Sequence, residues 1–491
     1  MTNIDNLKNQ LFATIEKNKN NLISDLSRLL QFKTISGTDS GYDYRDEFKN
    51  AFDFLSKLSN KHNLKFQNID NSLGIIDYGD GKDMIGALLH IDVVPVDDKW
   101  DYPAFGGNVV GDEVYGRGTL DNKGPLMSCL YGMVALSDSN IKLKNRIRMI
   151  IGSTEEVGDW SEIRKYKENY EMPIFCFVPD AEFPVINGEK GMVNIKFSTL
   201  LDSGQRENNF DFEYVKIYGG QRANIVPGSC IIEIIDKTIK DNKKKEKIEK
   251  AIKESTNKKK DFKCKYEFSD DKITIEVIGK SAHGSLPWNG INAITNAIDF
   301  LSQFKFANSE CNKFIMFLKD LCSDMYGEGL GIKSEHHFVG KTTSSLNVIK
   351  TTDMGIQATV NIRNTLGMPP EKVLELTTNV VEDFNKNNQS KIKNEKTSTG
   401  SKALYVDPED NKDFISSLQK AYKEVTNLEP ELKAIGGTTY AKAFPNTVSF
   451  GPILPDEETL EHQANERVKI PVVLRNTKIY GYAMLLLGNP I

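Results

Sequence analysis

The chain has 491 residues, so at roughly 150 residues per domain it holds two or more folded units. Apolar residues at 39%, 36 glycines and 27% charged side chains lie in the globular range and exclude collagen, coiled-coil and disordered classes. With 63 Lys+Arg against 68 Asp+Glu, the net charge of −5 gives no global field toward nucleic acid or an anionic membrane, so any steering of substrate is local.

The opening Met1-Thr2-Asn3-Ile4-Asp5-Asn6 has no cationic segment followed by an apolar one, and no stretch approaches the ~20 apolar residues that span a bilayer. A soluble, unexported, cytoplasmic protein is expected. From Ile4 to Phe32 apolar residues recur at helical spacing (Leu7, Leu11, Ile15, Leu22, Ile23, Leu26, Leu29, Leu30), which predicts one or two amphipathic helices. The runs 84–89, 146–151 and 173–178 are apolar without alternation, as in strands covered on both faces, and Gly124 to Leu136 reads as a buried helix between the first two. That alternation predicts an α/β layer with a mostly parallel sheet.

After Gly191 the strands at 193–197, 231–235 and 273–277 have at least one wetter face, and helices at 242–255, 292–304 and 371–386 alternate with them, a strand-like 359–363 separating the last two. Lys240 to Lys265 is a Lys-rich run. Glu246/Lys250 and Glu249/Lys253 are i,i+4 pairs and Ile248, Ala251 and Ile252 form a stripe, so it reads as a solvated helix face rather than a nucleic-acid patch. From about 388 the chain returns to core character with a helix at 411–425, a strand at 447–450 and a closing helix near 471–487. The expected architecture is an α/β catalytic domain, 1–190 with 388–491, its mixed, mostly parallel sheet covered by helices, interrupted by an inserted α+β lid domain at 191–387. The six cysteines (Cys129, Cys176, Cys230, Cys264, Cys311, Cys322) are scattered without CxxC spacing and read as reduced core thiols.

Chemistry gathers where the buried runs end: His90-Ile91-Asp92 after the first, Glu155-Glu156 after the second, Asp180 after the third, and Glu461-His462 beyond the late strand. Ligands in open α/β sheets bind beyond the carboxyl ends of the strands, so these groups converge on one rim. On an extended segment Asp92 can reach back to His90, fixing the imidazole tautomer. Adjacent desolvated glutamates repel unless a cation sits between them. Asp121 precedes a helix in a Gly-rich loop. Two His and three or four carboxylates are the inventory for two divalent cations bridged by one carboxylate, with one of Glu155 and Glu156 binding metal and the other moving protons. The reaction class is amide hydrolysis.

These motifs resemble those of peptidase family M20, the co-catalytic metallopeptidases that include carboxypeptidase G, the aminoacylases and the PepV-type dipeptidases. The matching stretches are Leu89-His90-Ile91-Asp92-Val93-Val94-Pro95, Gly116-Arg117-Gly118-Thr119-Leu120-Asp121-Asn122-Lys123-Gly124-Pro125, Thr154-Glu155-Glu156-Val157-Gly158, Pro179-Asp180-Ala181-Glu182-Phe183-Pro184, Ser281-Ala282-His283-Gly284 and His462-Gln463-Ala464-Asn465-Glu466. The run from Asp180 through Gly191 is similar to the PepV branch. The resemblance implies that His90 and Asp180 hold one metal, Glu156 and His462 the other, and Asp121 bridges. It implies Glu155 as general base, Asp92 as orienter of His90, His283 as oxyanion stabiliser, and Asn224 and Arg363 as substrate contacts. Asn122 stands where the branch often has a second Asp, Trp288 is unusual for its stretch, and His336 and His337 carry no family role.

The function implied is metal-dependent hydrolysis of dipeptides, with two Zn²⁺ or Mn²⁺ ions (Co²⁺ being a third possibility), by a monomer or homodimer acting on a small peptide, with no nucleic-acid or membrane partner. An N-acyl-amino-acid deacylase on the same site, or a metal-binding protein without turnover, are the alternatives. A nucleotide-binding reading has no GxGxxG or GxxxxGK[ST] to support it.

Overall fold

The computed structural model describes residues 3–37, 43–96, 99–397 and 400–489, without the side chains of Asn3 and Ser203; Met1 and Thr2 of the opening segment lie outside the described residues. It divides into two compact units: 1–188 with 405–433 and 439–491, and 189–404 with 434–438.

The first unit opens with helices Asn3–Lys17 and Lys19–Leu30, whose Leu11, Leu22, Leu26, Leu29 and Leu30 are fully buried, as the periodicity predicts. A helix at Arg45–Lys61 and an antiparallel pair, Lys65–Ile69 with Leu73–Tyr78, follow; neither has a strong sequence pattern. The centre of a nine-stranded sheet is a parallel quartet ordered Arg146–Gly152, Met84–His90, Phe175–Val178, Thr447–Ser449. Strand Leu73–Tyr78 pairs antiparallel at one side of the quartet, and Val185–Glu189 joins it antiparallel at the other through Ser449 and Ile186. The sheet is therefore mixed with a parallel heart. All seven residues of Met84–His90 are buried, which is why that run shows no alternation.

Helices Lys123–Asp138 and Ile470–Gly488 supply much of the buried helical surface of this unit. They approach at two glycines: a Cβ on Gly132 would stand 2.9 Å from the Cα of Gly481. A mid-helix Gly is unfavourable by about 1 kcal/mol relative to Ala, and here it is what permits backbone contact.

The second unit is an eight-stranded sheet, antiparallel throughout, in the order 263–268, 272–278, 229–235, 214–219, 343–351, 355–363, 193–200, 393–396. Strands Val193–Leu200, Ser229–Ile235 and Lys272–Ile278 alternate buried and exposed positions, so one face lies under helices Asn242–Lys258, Ala293–Leu301, Ser309–Leu321 and Pro370–Asn388. The chain stays in this unit past 388, because Lys393–Lys396 adds an edge strand to Val193–Leu200, and the unit runs to 404. In the Lys-rich helix Ile248 and Ala251 are buried as expected. The ion pairs differ from the expected ones: Lys250 meets Glu254, while Lys244 and Lys247 reach Asp236 and Asp211 outside the helix. An exposed i,i+4 pair contributes only about 0.3–0.5 kcal/mol, so Lys250 exchanges one such partner for another at little cost.

No disulfide joins the cysteines; Cys129, Cys176, Cys230 and Cys311 are buried, and Cys264 and Cys322 partly so. Among the described residues no helix is long and apolar enough to cross a membrane.

Candidate dinuclear metal centre

The parallel quartet ends in a cluster within the first unit. His90 closes its strand fully buried, with Nε2 2.9 Å from Asp121 Oδ1 and 3.6 Å from Asp180 Oδ1. Its Nδ1 lies 3.0 Å from the backbone carbonyl of Asp92 and 3.3 Å from the Asp92 carboxylate. The tautomer is thus fixed by main chain as well as side chain, with Nδ1–H as donor and Nε2 free for a ligand. The fully buried Asp92 also braces the loop after strand Arg146–Gly152, since its Oδ1 accepts the Glu155 amide at 3.3 Å and its Oδ2 the Glu156 amide at 3.1 Å.

Asp121 sits immediately before helix Lys123–Asp138 and faces both imidazoles: Oδ1 toward His90, and Oδ2 3.0 Å from His462 Nε2. His462 Nε2 also lies 3.2 Å from Glu156 Oε1. Asp180 follows strand Phe175–Val178 and accepts Asn122 Nδ2 at 3.2 Å, while the same amide donates to the Pro179 carbonyl at 2.6 Å. Asn122 therefore donates to Asp180, which an ionised Asp at that position could not do.

Five carboxylates and two imidazoles in one desolvated cluster strain its electrostatics. Burial, reinforced by the charge of Asp180, holds Glu155 well above the usual carboxylate range. Burial with the charge of Asp121 pushes Glu156 to about 7 and Asp180 to about 6. Burial would lower both imidazoles, but their carboxylate neighbours outweigh it, raising His90 well above its ordinary value and His462 to about 11. Asp121, although desolvated, is held far below the carboxylate range by the two imidazoles that face it.

The residues present fit cations. His90 Nε2 and Asp121 Oδ1 are buried 2.9 Å apart, yet neither has a hydrogen-bond partner, a pairing that a shared cation resolves. Two donor sets have ligand atoms mutually within 4.8 Å: His90, Glu155 and Asp180; and His90, Asp121 and Glu156. Glu155 lies inside the first, so distance alone does not separate it from the ligands. His462, half exposed, completes the second set through its contacts to Asp121 and Glu156.

The second unit brings together its own three candidates. Strand Ile225–Val226 pairs with Ala282–His283, and the Gly284 amide donates to the Asn224 carbonyl at 2.7 Å. Burial and the Arg363 guanidinium lower His283, which keeps it neutral near pH 7. Its Nδ1 accepts the Ser285 amide at 3.3 Å and lies 2.6 Å from the Ser285 hydroxyl, so the ring proton is assigned to Nε2. Arg363 is buried, donating to Asn361 Oδ1 at 3.0 Å and to the Gly436 carbonyl at 2.9 Å. Trp288 is 47% exposed on the single turn Pro287–Asn289. The rings of His336 and His337 lie 4.2 Å apart, tilted by 48°, in a short hairpin where His336 Nδ1 accepts the Val339 amide at 3.2 Å.

Two residues escaped the sequence pattern. Tyr440 is fully buried, presents its ring edge to His90 at 6.2 Å and donates to Glu162 at 2.5 Å; nothing local in the sequence marks it. Glu466 was visible only as the end of the His462 motif, its carboxylate being buried against the Asp121 loop.

Residues 88–485 match the family described as Peptidase family M20/M25/M40. "Putative dipeptidase YtjP" of Bacillus subtilis is 29% identical over 478 residues, covering 96% of this chain and 98% of that protein. "Putative dipeptidase SAB1611c" of Staphylococcus aureus is 30% identical over 491 residues, covering 95% and 97%. Among solved structures, human carnosine dipeptidase 1 superposes with a TM-score of 0.58 at 15% identity, covering 98% of this chain and 99% of that one. The di-peptidase Dug1p of Saccharomyces cerevisiae gives the same score and identity with 99% of each chain covered, a likeness of fold.

Proposed function

Because the chain belongs to peptidase family M20/M25/M40, which makes it a hydrolytic enzyme, we propose that it cleaves the peptide bond of dipeptides at a centre of two divalent cations. The observation that carries this reading is the Asp121 carboxylate, whose two oxygens face the Nε2 atoms of His90 and His462 at 2.9 and 3.0 Å, the disposition of a bridging ligand between two subsites. His90 and Asp180 would hold one cation, Glu156 and His462 the other, with Asp121 shared. When bound, the pair supplies Lewis acidity toward the scissile carbonyl and lowers the pKa of water.

The protein's own groups do the rest. Glu155 takes the proton of the attacking water and returns it to the leaving amine; its burial favours the neutral carboxyl, which is the direction a general base near neutral pH requires. Asp92 fixes His90 on one side and the Glu155-Glu156 backbone on the other. His283, neutral and carrying its proton on Nε2, is a donor for the oxygen that gains charge as the carbonyl becomes tetrahedral, and Asn224 and Arg363 contact substrate from the same lid unit. Imidazole and carboxylate ligands suit Zn²⁺, Mn²⁺ or Co²⁺. We take the working species as a cytoplasmic monomer or homodimer, consistent with six free thiols.

Chelation followed by re-addition of each ion, with turnover of a dipeptide panel and elemental analysis, tests this. Activity that returns with two equivalents of cation supports it. Equal kcat/KM for a dipeptide and its N-acetylated form would replace the dipeptidase reading with deacylation of N-acyl amino acids, and cation binding without turnover on any substrate would make the site a structural one.

A further inference from the structure

The segment 461–466 turns sharply twice. His462 and Asn465 both take φ of 61°, in the left-handed region that Asn and His enter more readily than other non-glycine residues. Two tethers hold it there. Asn465 exchanges hydrogen bonds with Asp101, accepting its amide at 2.8 Å and donating to its carboxylate at 3.1 Å. Glu466 is the deeper one. Its carboxylate is fully buried and accepts from Arg117 Nη1 at 2.7 Å, from the backbone amides of Gly118 at 3.1 Å, Leu120 at 2.8 Å and Asp121 at 3.3 Å, and from the Thr119 hydroxyl at 3.5 Å. The Glu466 carbonyl accepts the Gly116 amide at 3.0 Å, and Arg117 also donates to the Gln463 carbonyl at 3.3 Å.

The Arg117 guanidinium, the Thr119 hydroxyl and the backbone amides of Gly118, Leu120 and Asp121 are thereby gathered around one carboxylate that lies four residues beyond His462. A buried charge of this kind is retained only with near-complete hydrogen bonding, and the donors that satisfy it here belong to the loop carrying Asp121. Asp121 and His462 meet at 3.0 Å although 341 positions separate them in the chain. The two segments are also joined by the antiparallel pairing of Arg467–Lys469 with Glu113–Tyr115, which ends at the Gly116 amide on the Glu466 carbonyl; beyond that ladder the Glu466 side chain carries the connection on to the Asp121 amide itself.

We infer that Glu466 is a positioning residue that sets the distance between Asp121 and His462, and so the affinity of the subsite they share with Glu156, while the subsite of His90 and Asp180 depends on it much less. The inference rests on the reading that these side chains hold two cations. It gives Glu466 a role at the centre without any contact to a cation.

Glu466→Gln tests it in the full-length protein, since the amide keeps the shape but sets a donor among donors. Stepwise affinities for Zn²⁺ and for Mn²⁺ are measured by competition with a chromophoric chelator, alongside the thermal midpoint of the cation-free protein. The expected result is a folded variant whose first cation binds as in the wild type and whose second binds about 10- to 100-fold more weakly, the range found when groups behind metal ligands are removed. Unchanged affinity for both, or an equal loss at both, overturns the inference; a residue of purely structural value lowers the midpoint and leaves the two steps alone. Should Glu466→Gln not fold, Arg117→Lys, which keeps the counter-charge and shortens its reach, is read in the same way; if neither folds, Glu466 is a folding element and the inference fails. Wild-type protein that binds no cation would refute the metal centre itself, a separate outcome.

Discussion

Replacing Asp92 by Asn isolates the carboxylate that ties three site residues together. The amide can turn either way. With its NH₂ at the Oδ1 position it would oppose two donors, the Glu155 amide at 3.3 Å and His90 Nδ1–H at 3.3 Å; at the Oδ2 position it opposes one, the Glu156 amide at 3.1 Å. The second orientation is therefore preferred. His90 keeps its main-chain acceptor at 3.0 Å and with it its tautomer. What is lost is one hydrogen bond to a charged acceptor, worth about 1.5–3 kcal/mol, or about 10- to 150-fold in an equilibrium. That loss falls on Glu156, so the expected phenotype is weaker binding of the cation shared with His462, lower kcat/KM at limiting cation, and recovery of most turnover at saturating cation. Calorimetric cation titration combined with dipeptide kinetics over a range of free Zn²⁺ and Mn²⁺ checks this. A loss of turnover that added cation does not restore, together with unaltered cation binding, would refute the reasoning and place the carboxylate's effect on His90 or Glu155 instead.

Glu155→Gln is expected to bind cations in wild-type stoichiometry and to lose about 10²–10⁴-fold in kcat, the contribution of a positioned base; loss of one equivalent of cation would reassign Glu155 as a ligand. Cation binding near pH 7 is expected to expel more than two protons, because the cation-free imidazoles of His90 and His462 are protonated there and Glu156, at about 7, is partly so, while ligation needs all three deprotonated. Affinity then rises with pH, and calorimetry in two buffers of different ionisation enthalpy counts the protons; no buffer dependence would contradict the raised imidazoles. Gly132→Ala places a Cβ 2.9 Å from Gly481 Cα and should destabilise by about 1–3 kcal/mol through overpacking, although helix propensity alone favours Ala. A thermal midpoint that rises in circular dichroism scans would show that the two helices separate at little cost.

The sequence by itself determined the parts whose signal is local. Unbroken apolar runs at 84–89 and 146–151 marked strands covered on both faces, alternation after Gly191 marked a sheet with one wet face, and His90, Asp92, Glu155, Glu156 and Asp180 sat just past the end of an unbroken run, while Asp121 and His462 lay in loops. The helix pair at Gly132 and Gly481, the Glu466 carboxylate among the amides of 118–121, and Tyr440 beside His90 had no such mark, since each is defined by a partner hundreds of residues away. The same holds for Asp92: its step back to His90 follows from strand geometry, but its grip on Glu155 and Glu156 exists only because strands Met84–His90 and Arg146–Gly152 lie side by side. The edge strand Lys393–Lys396 likewise moved the unit boundary from 388 to 404, because backbone pairing depends on which edge is free, not on side-chain pattern. Which residue types carry the chemistry is written along the chain; which of them touch, and the left-handed turn by which His462 reaches Asp121, is decided by packing.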